Sequence, residues 1–260
     1  MVRANRDQAK RVREGETSSD FYAPVASVFK VDPFRTDEPA LDRLREIVVP
    51  GETWLDLGAG GGRYALPLAL TGADVIAVEP SPGMLEVLRE GMAEHDISNV
   101  RIIESRWPMD DPPSADVALI SHVGYDIEEI GYFLDAMDAA AGHLCVAIML
   151  SEAPASAARN FWPPVHGLER SLLPALREFI ALLFATGRFP EVREAGAREP
   201  GFYPDEERAL LFLRQQLFTQ VNSEKDKRLR AEIASRATPE GIPVGSRSIP
   251  LGLVTWNPLK

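Results

Sequence analysis

A glycine-rich turn that follows an apolar segment constrains the fold of this chain more than any other feature. Residues 53–63 read Thr-Trp-Leu-Asp-Leu-Gly-Ala-Gly-Gly-Gly-Arg, a strand-like run that ends in an acid and closely spaced glycines. Glycine permits a tight turn from strand to helix and lets a ligand approach the backbone. The free amide groups at the start of the next helix suit a carboxylate or a phosphate. The turn therefore predicts a ligand-binding α/β fold but leaves the ligand open.

Apolar segments alternate with helical patterns between residues 53 and 150, which is the order of a parallel sheet covered by helices. The near-continuous hydrophobicity of these segments is typical of central strands. We predict strands at 53–57, 75–78, 100–103, 117–120 and 144–150. We predict helices between them at 63–70, 82–94 and 127–141.

The composition narrows the classes of partner and the cellular location. The net charge is −11, from 39 acidic and 28 basic residues, and an acidic chain opposes binding to nucleic acid. The single cysteine, Cys145, rules out an internal disulfide framework, and no apolar run is long enough to span a membrane. The hydrophilic first residues lack the apolar middle of a secretory signal. We therefore expect a cytoplasmic protein that acts on a small molecule or a protein.

The spacing of the glycines distinguishes between cofactor classes. A nicotinamide fingerprint that starts at Gly58 needs glycine or alanine at position 63, where the chain has Arg63. A phosphate loop fails because no Gly-Lys-Ser/Thr follows. An acid followed by alternating glycines is matched in full by Asp56, Gly58, Gly60 and Gly62. This pattern resembles the first motif of the class I S-adenosylmethionine-dependent methyltransferases.

A second acid lies where that family places one. Glu79 ends the next predicted strand, 17 positions after Gly62. The resemblance implies that its carboxylate accepts hydrogen bonds from both ribose hydroxyls of the donor. Pro80 and Met84 follow in a segment that resembles the family's second motif, which lies beside adenine. Met84 could line the adenine pocket or belong to the core face of a helix, and the sequence leaves both open.

Two further groups of candidate residues follow the third and fourth predicted strands. In the family, a polar side chain and an amide after the third strand recognise the adenine amino group. Here Ser105, Arg106 and Trp107 occupy that place, and the residue that reads adenine stays open because the common aspartate is absent. After the fourth strand, Ser121, His122 and Tyr125 lie beside the expected methyl-transfer position.

His122 and Tyr125 are the candidates for catalysis. A histidine can accept a proton near neutral pH, and the alternative is a hydrogen-bonded pocket histidine. Tyr125 could orient a substrate or supply a phenolate. Methyl transfer depends mainly on alignment, so a dedicated base is optional. The cysteine and histidines lack the spacing of metal ligands, and we predict no metal site.

The resemblance implies a complete fold and domain organisation. We expect an α/β, Rossmann-like, doubly wound and mostly parallel seven-stranded sheet with a terminal antiparallel strand and helical elaborations. Strands near 189 and 250 would complete that sheet. Residues 1–50 would form an N-terminal arm and helices covering the active site, and 51–260 the methyltransferase domain. Within it, 151–245 would contain a helical elaboration over the substrate site, with helices at 172–186, 205–219 and 224–235.

The resemblance also implies the ligands and the activity. The cofactor would be S-adenosylmethionine, which the reaction would convert to S-adenosylhomocysteine. The acceptor would be a small molecule surrounded by aromatic residues: Phe161, Trp162, Phe202 and Tyr203. Alternatives are a methyltransferase for protein or RNA, and a non-catalytic sensor that binds the donor. The oligomeric state stays open between monomer and homodimer. The expected cofactor-binding residues are Asp56, Gly58, Ala59, Gly60, Gly62, Glu79, Pro80, Met84, Ser105, Arg106, Trp107, Ser121 and His122.

Overall fold

A seven-stranded sheet forms the centre of the computed structural model, which describes residues 1–15, 20–245 and 247–260. Residues 16–19 of the predicted N-terminal arm, and 246, lie outside the described residues. The strands are β1 Thr53–Leu57, β2 Asp74–Val78, β3 Val100–Ile103, β4 Ala115–Ser121, β5 Ala141–Leu150, β6 Glu191–Arg198, β7 Gly201–Tyr203, β8 Ile242–Val244 and β9 Ile249–Trp256.

The order of strands in the sheet is β3-β2-β1-β4-β5-β9-β6. The neighbours from β3 to β5 are parallel, and β9 is antiparallel to both β5 and β6. The predicted fold class is therefore confirmed, including the late strand pair that completes the sheet. The chain order reverses between β1 and β4, so the carboxyl ends of these two strands border a crevice of the kind in which such sheets bind ligands.

Helices cover both faces of the sheet. They are α1 Val2–Val12, α2 Pro39–Ile47, α3 Ala65–Leu70, α4 Pro82–Glu94, α5 Ile130–Ala140, α6 Trp162–His166, α7 Leu176–Ala185, α8 Glu206–Leu217 and α9 Glu224–Arg236, with 3₁₀ segments at Ala23–Phe29 and Pro154–Phe161. Along β1 the side chains alternate: Trp54 packs with α2, α3 and α4, whereas Leu55 and Leu57 pack with α5 and α7. Within the described ranges, no helix is both long and apolar enough to cross a bilayer.

Some predicted boundaries are wrong by a few residues. The helix after the glycine turn begins at Ala65 rather than at residue 63, because the turn with its positive φ angles extends to Gly62. β5 begins at Ala141 rather than at 144, directly after α5 ends. β6 runs from Glu191 to Arg198 and so begins after the position near 189 where a strand is predicted, while Phe189 is 82% exposed. β6 is an edge strand with polar side chains, so hydrophobicity locates it poorly.

The predicted elaboration at 151–245 has a small apolar core of its own. Phe161 and Trp162 are each 1% exposed and pack with α8 and α9. They therefore belong to this core, and the expectation that they surround an acceptor is wrong for both. His166 lies against the Trp162 ring, with 4.5 Å between the ring centroids, and its Nε2 is 3.0 Å from the Leu217 carbonyl oxygen.

The N-terminal helix α1 is attached mainly by polar contacts. Within α1 only Val12 is buried. Arg3 and Arg6 both form ion pairs with Glu128. On the same helix, the Gln8 side chain accepts a hydrogen bond from the Ser171 backbone amide at 2.7 Å. The predicted arm is thus a surface helix that lies over the loop before α7.

A buried carboxylate on α5, that of Asp138, bonds both the loop after α7 and the last strand. Arg188 and Asp138 are 1% and 4% exposed, and the Arg188 Nε donates to Asp138 Oδ2 at 2.9 Å. The other Asp138 oxygen accepts from the Trp256 indole nitrogen at 2.9 Å. A second carboxylate, that of the exposed Asp135, bonds Arg188 Nη2 at 2.7 Å. The Asp138 carboxylate thus bonds both the loop after α7 and β9 to α5.

We expect Asp138→Asn to lower the free energy of unfolding by about 3–5 kcal/mol, because it leaves the Arg188 charge buried without full compensation. Urea denaturation monitored by circular dichroism measures this change. The matched control is Asp135→Asn, for which we expect a loss of about 0–1 kcal/mol because Asp135 is exposed. Equal losses of unfolding free energy in the two variants would contradict the role of Asp138 as the main partner of the buried Arg188.

Candidate functional site

The glycine turn lies at the carboxyl end of β1, inside the crevice between β1 and β4. Gly58, Gly60 and Gly62 have φ angles of 79°, 56° and 85°, which side-chain-bearing residues rarely adopt. A Cβ on Gly58 would lie 2.6 Å from a methyl group of Val123, and one on Gly62 would lie 2.5 Å from Leu88. A Cβ on Gly60 would meet nothing within 4 Å. The turn is therefore packed at its two ends and open at its middle.

Glu79 joins this turn to the next one. Its Oε2 accepts the Gly60 amide at 3.0 Å, and its Oε1 accepts the Ser81 amide at 2.9 Å. Glu79 is 6% exposed, and burial raises the pKa of its carboxyl group, an effect that the two amides and Arg106 oppose. Each oxygen keeps a further lone pair, so the carboxylate can accept hydroxyl groups of a ligand in addition to the amides.

Asp56 has a carboxylate oxygen, Oδ1, that lacks a hydrogen-bond partner among the described residues. The residue is 2% exposed. Burial, together with the charge of Glu79, raises the pKa of Asp56 to about 7. A buried acceptor without a partner is uncommon in folded proteins. The two acids and the open turn fit a ligand that combines a positive charge with a ribose.

An N-terminal segment that the sequence analysis did not connect to the site is bonded to it. The Asp20 carboxylate accepts the Ser81 hydroxyl at 2.7 Å and the Gly83 amide at 3.0 Å. Gly83 allows this approach, because a Cβ there would lie 2.9 Å from the Cα of Ala23. The segment from residue 20 thus covers the turn after β2.

The candidates after β3 are held by packing. The Trp107 indole nitrogen donates to the Phe133 carbonyl oxygen at 3.3 Å, and the ring packs beside α5. The Ser105 hydroxyl donates to the carbonyl oxygen of its neighbour Arg106 at 3.2 Å. Met84 is 4% exposed and packs against the 3₁₀ segment Ala23–Phe29. For Met84 this packing favours the core role over the adenine pocket.

His122 and Tyr125 lie together after β4. His122 has a φ of 56°, and its Nδ1 is 3.4 Å from the Tyr125 hydroxyl. That hydroxyl accepts the Leu150 amide at 2.7 Å, and burial raises the pKa of Tyr125 well above its ordinary value. Tyr125 is therefore a protonated phenol that links the loop to β5. This favours the orienting role over the phenolate.

The electrostatic environment keeps His122 neutral. Burial, followed by the charges of Arg63 and Arg198, lowers the pKa of His122 to about 4. Arg63 is paired with Glu38 at 2.8 Å, and Glu38 also accepts the Tyr64 hydroxyl at 2.5 Å. Arg198 lies at the end of β6, and no carboxylate within the described ranges forms an ion pair with it. A neutral imidazole can accept a hydrogen bond from a nucleophile but is a weak base.

The structure thus brings together most of the predicted residues at the carboxyl ends of β1, β2 and β4. Ala59 donates its amide to the Val78 carbonyl oxygen at 3.2 Å, Pro80 lies between Glu79 and α4, and Ser121 ends β4. Ser105 to Trp107 lie one strand further out, after β3. Sequence reasoning missed Asp20, Glu38 and Arg198, which come from distant parts of the chain and belong to no local motif.

Comparison with known proteins identifies the same central segment. The family model described as a methyltransferase domain matches residues 55–145. The chain is 49% identical over 51 residues to the 23S rRNA (uracil(1939)-C(5))-methyltransferase of Shewanella sp. (strain MR-4), and this alignment covers 20% of the chain and 11% of that protein. It is 33% identical over 84 residues to the ubiquinone biosynthesis O-methyltransferase of Azorhizobium caulinodans, which covers 31% of the chain and 32% of that protein. The chain thus spans a minor part of these relatives.

The fold has a counterpart among solved structures. The SAM-dependent methyltransferase of Geobacter sulfurreducens, solved in complex with S-adenosyl-L-homocysteine, matches with a TM-score of 0.57 and 14% identity. The match covers 94% of this chain and 99% of that one. At this identity the likeness concerns the fold. The methyltransferase-domain family model thus matches residues 55–145, and the seven-stranded sheet to which they contribute has the class I Rossmann-like fold.

Proposed function

We propose that this protein is an S-adenosylmethionine-dependent methyltransferase that acts on a small molecule. One observation carries the proposal: the open middle of the glycine turn is bordered by two buried acids, Asp56 and Glu79. The methyltransferase-domain match covers both acids. The complex of the Geobacter sulfurreducens protein with the demethylated product supports the same cofactor.

The residues of the site fit the donor. The Glu79 carboxylate would accept the ribose hydroxyls while it holds the amides of Gly60 and Ser81. The Asp56 carboxylate would provide the negative charge that a cationic ligand requires in a buried site. When bound, S-adenosylmethionine supplies an activated methyl group. The protein then has to align the acceptor with it and exclude water.

His122 has a modest role in this proposal. As a neutral imidazole, it would accept a hydrogen bond from the acceptor nucleophile and orient it. Tyr125 holds the loop of His122 against β5 through its bond to Leu150. The small-molecule acceptor is supported by the net charge of −11, which opposes RNA. A cytoplasmic location is supported by the single, buried Cys145.

The names of the relatives include more than one class of methyl acceptor. One acts on rRNA and another belongs to ubiquinone biosynthesis, and each aligns with less than a third of this chain. A sensor that binds the donor without transfer would share the same site. Incubation with methyl-labelled donor and a small-molecule extract distinguishes them, because only a small-molecule methyltransferase places label in small products.

We expect calorimetry to detect binding of S-adenosylmethionine and S-adenosylhomocysteine but not of NAD. Glu79→Gln should weaken both by roughly 10- to 100-fold, because charge-assisted hydrogen bonds contribute about 1.5–3 kcal/mol. Glu90→Gln is the control, since Glu90 is an exposed acid on α4. Unchanged affinity in Glu79→Gln would refute its role, and binding of NAD alone would refute the proposed function.

The raised pKa of Asp56 predicts a pH-dependent stability of the ligand-free protein. Its ordinary pKa is 3.8 and its folded value is about 7, so the folded state retains a proton that the unfolded chain releases. The free energy of unfolding should therefore fall as pH rises from about 4 to about 7. We expect Asp56→Asn to gain stability relative to wild type over this range and to bind the donor more weakly at pH 8.

Urea titrations at several pH values measure this difference. The control is Asp74→Asn at the exposed start of β2, which should change stability by about 0.5 kcal/mol or less. If the Asp56→Asn variant showed a constant offset from wild type at all pH values, the buried charge would not be at Asp56.

A further inference from the structure

A cavity of about 440 Å³ lies beyond the carboxyl end of β5. Its floor is formed by Ser151 and Ala153, which follow the strand directly, and α1 and the start of α7 border it. The volume is in the range of pockets that hold small molecules. Four arginines contribute to its lining: Arg159, Arg170, Arg177 and Arg247.

The charges around the cavity do not cancel. Arg247 forms an ion pair with Glu152, and Arg177 forms one with Glu178 at 2.9 Å. No carboxylate in the described part of the chain lies within ion-pair distance of Arg170 or Arg159. The cavity therefore has an excess of positive charge, although the whole chain carries −11.

Arg170 is a buried charged residue in the wall of this cavity. It is 9% exposed, and its Nη1 donates to the Ala155 carbonyl oxygen at 2.6 Å. Its guanidinium carbon lies 4.7 Å from the ring centroid of Trp162, within the distance of a cation–π contact. Burial lowers the pKa of Arg170 to about 10, and no acid opposes this effect. Because an unpaired buried cation costs free energy, its place at a cavity wall indicates a site for an anion.

The cavity and the predicted methyl-transfer position lie at the same edge of the sheet, where the neighbouring parallel strands β4 and β5 end. One of the lining residues, Ser151, directly follows Leu150, whose amide donates to the Tyr125 hydroxyl. Tyr125 and Ala153 belong to one apolar cluster, which Leu173 joins at the cavity wall. A molecule in this cavity would therefore be joined to the loop that carries His122 through the carboxyl end of β5 and Tyr125.

We propose that this cavity binds the anionic group of the methyl acceptor, a carboxylate or a phosphate monoester on a small apolar body. The guanidinium of Arg170 holds two oxygens of the anion, as its planar donors allow. Leu172 and Leu173 contact the apolar body. The acceptor role rests on the proposed function, whereas anion binding in the cavity does not.

Calorimetry with three probes of similar shape tests the site: benzoate, phenyl phosphate and the neutral benzyl alcohol. We expect at least one anion to bind at least tenfold more tightly than the alcohol, since hydrogen bonds to charged groups exceed neutral ones by about 1.4 kcal/mol. Tighter binding of benzoate would identify a carboxylate, and tighter binding of phenyl phosphate would identify a phosphate. Equal binding of all three, or no binding of either anion, would overturn the proposal.

Variants of the lining residues test whether the anions bind in this cavity. Arg170→Met should weaken anion binding at least about tenfold, and the control Arg101→Met, at an exposed arginine of β3, should leave it unchanged. Glu152→Gln frees Arg247 from its ion pair and should tighten binding, which provides a test if Arg170→Met does not fold. Unchanged affinity in both cavity variants would overturn the site.

Donor binding is measured in the same variants. If anions bind through Arg170 but S-adenosylhomocysteine does not bind, the anion site stands and the proposed function fails. If S-adenosylhomocysteine binds and the anions do not, the proposed function stands and this inference fails.

Discussion

Two hydrogen bonds to Glu79 hold together the part of the molecule on which the site depends. They join the glycine turn after β1 to the turn after β2, and the Ser81 hydroxyl in the second turn donates to Asp20 of the N-terminal segment. The turns that follow parallel strands lie at the same edge of a sheet. The backbone hydrogen bonds between the strands do not themselves fix the position of one turn relative to the next. A single buried carboxylate does so here, and each of its oxygens keeps a lone pair for a further donor.

Buried charges serve two different purposes in this protein. Asp138 and Arg188 satisfy one another and connect α5 to the last strand, so they act as part of the scaffold. Asp56 and Arg170 are also buried, but they lack partners of opposite charge among the described residues. The free energy that such groups cost is recovered when a ligand supplies the missing partner. Their opposite signs predict a cationic ligand at one place and an anionic ligand at the other.

Local patterns in the sequence predicted the central sheet, because its strands are buried on both faces and are almost continuously apolar. The spacing of the glycines and the acid Glu79 likewise predicted the residues of the candidate site that lie together at the ends of β1 and β2. The same reasoning placed Phe161 and Trp162 around an acceptor, because nothing local shows that they pack with α8 and α9. Asp20 and Arg170 could not have been found, since their roles arise from contacts between residues that are far apart in the chain.

The polar attachment of α1 has a thermodynamic consequence. The helix buries only Val12, and its other contacts are hydrogen bonds and ion pairs, including those with Ser171 at the wall of the cavity. Polar contacts of this kind exchange for water at small cost, so docking of the helix contributes little free energy by itself. A ligand that contacts the same wall adds its own interactions to the docked state alone. Occupancy of the cavity and protection of the α1 amides against hydrogen exchange are therefore coupled quantities, and each strengthens the other by the same factor.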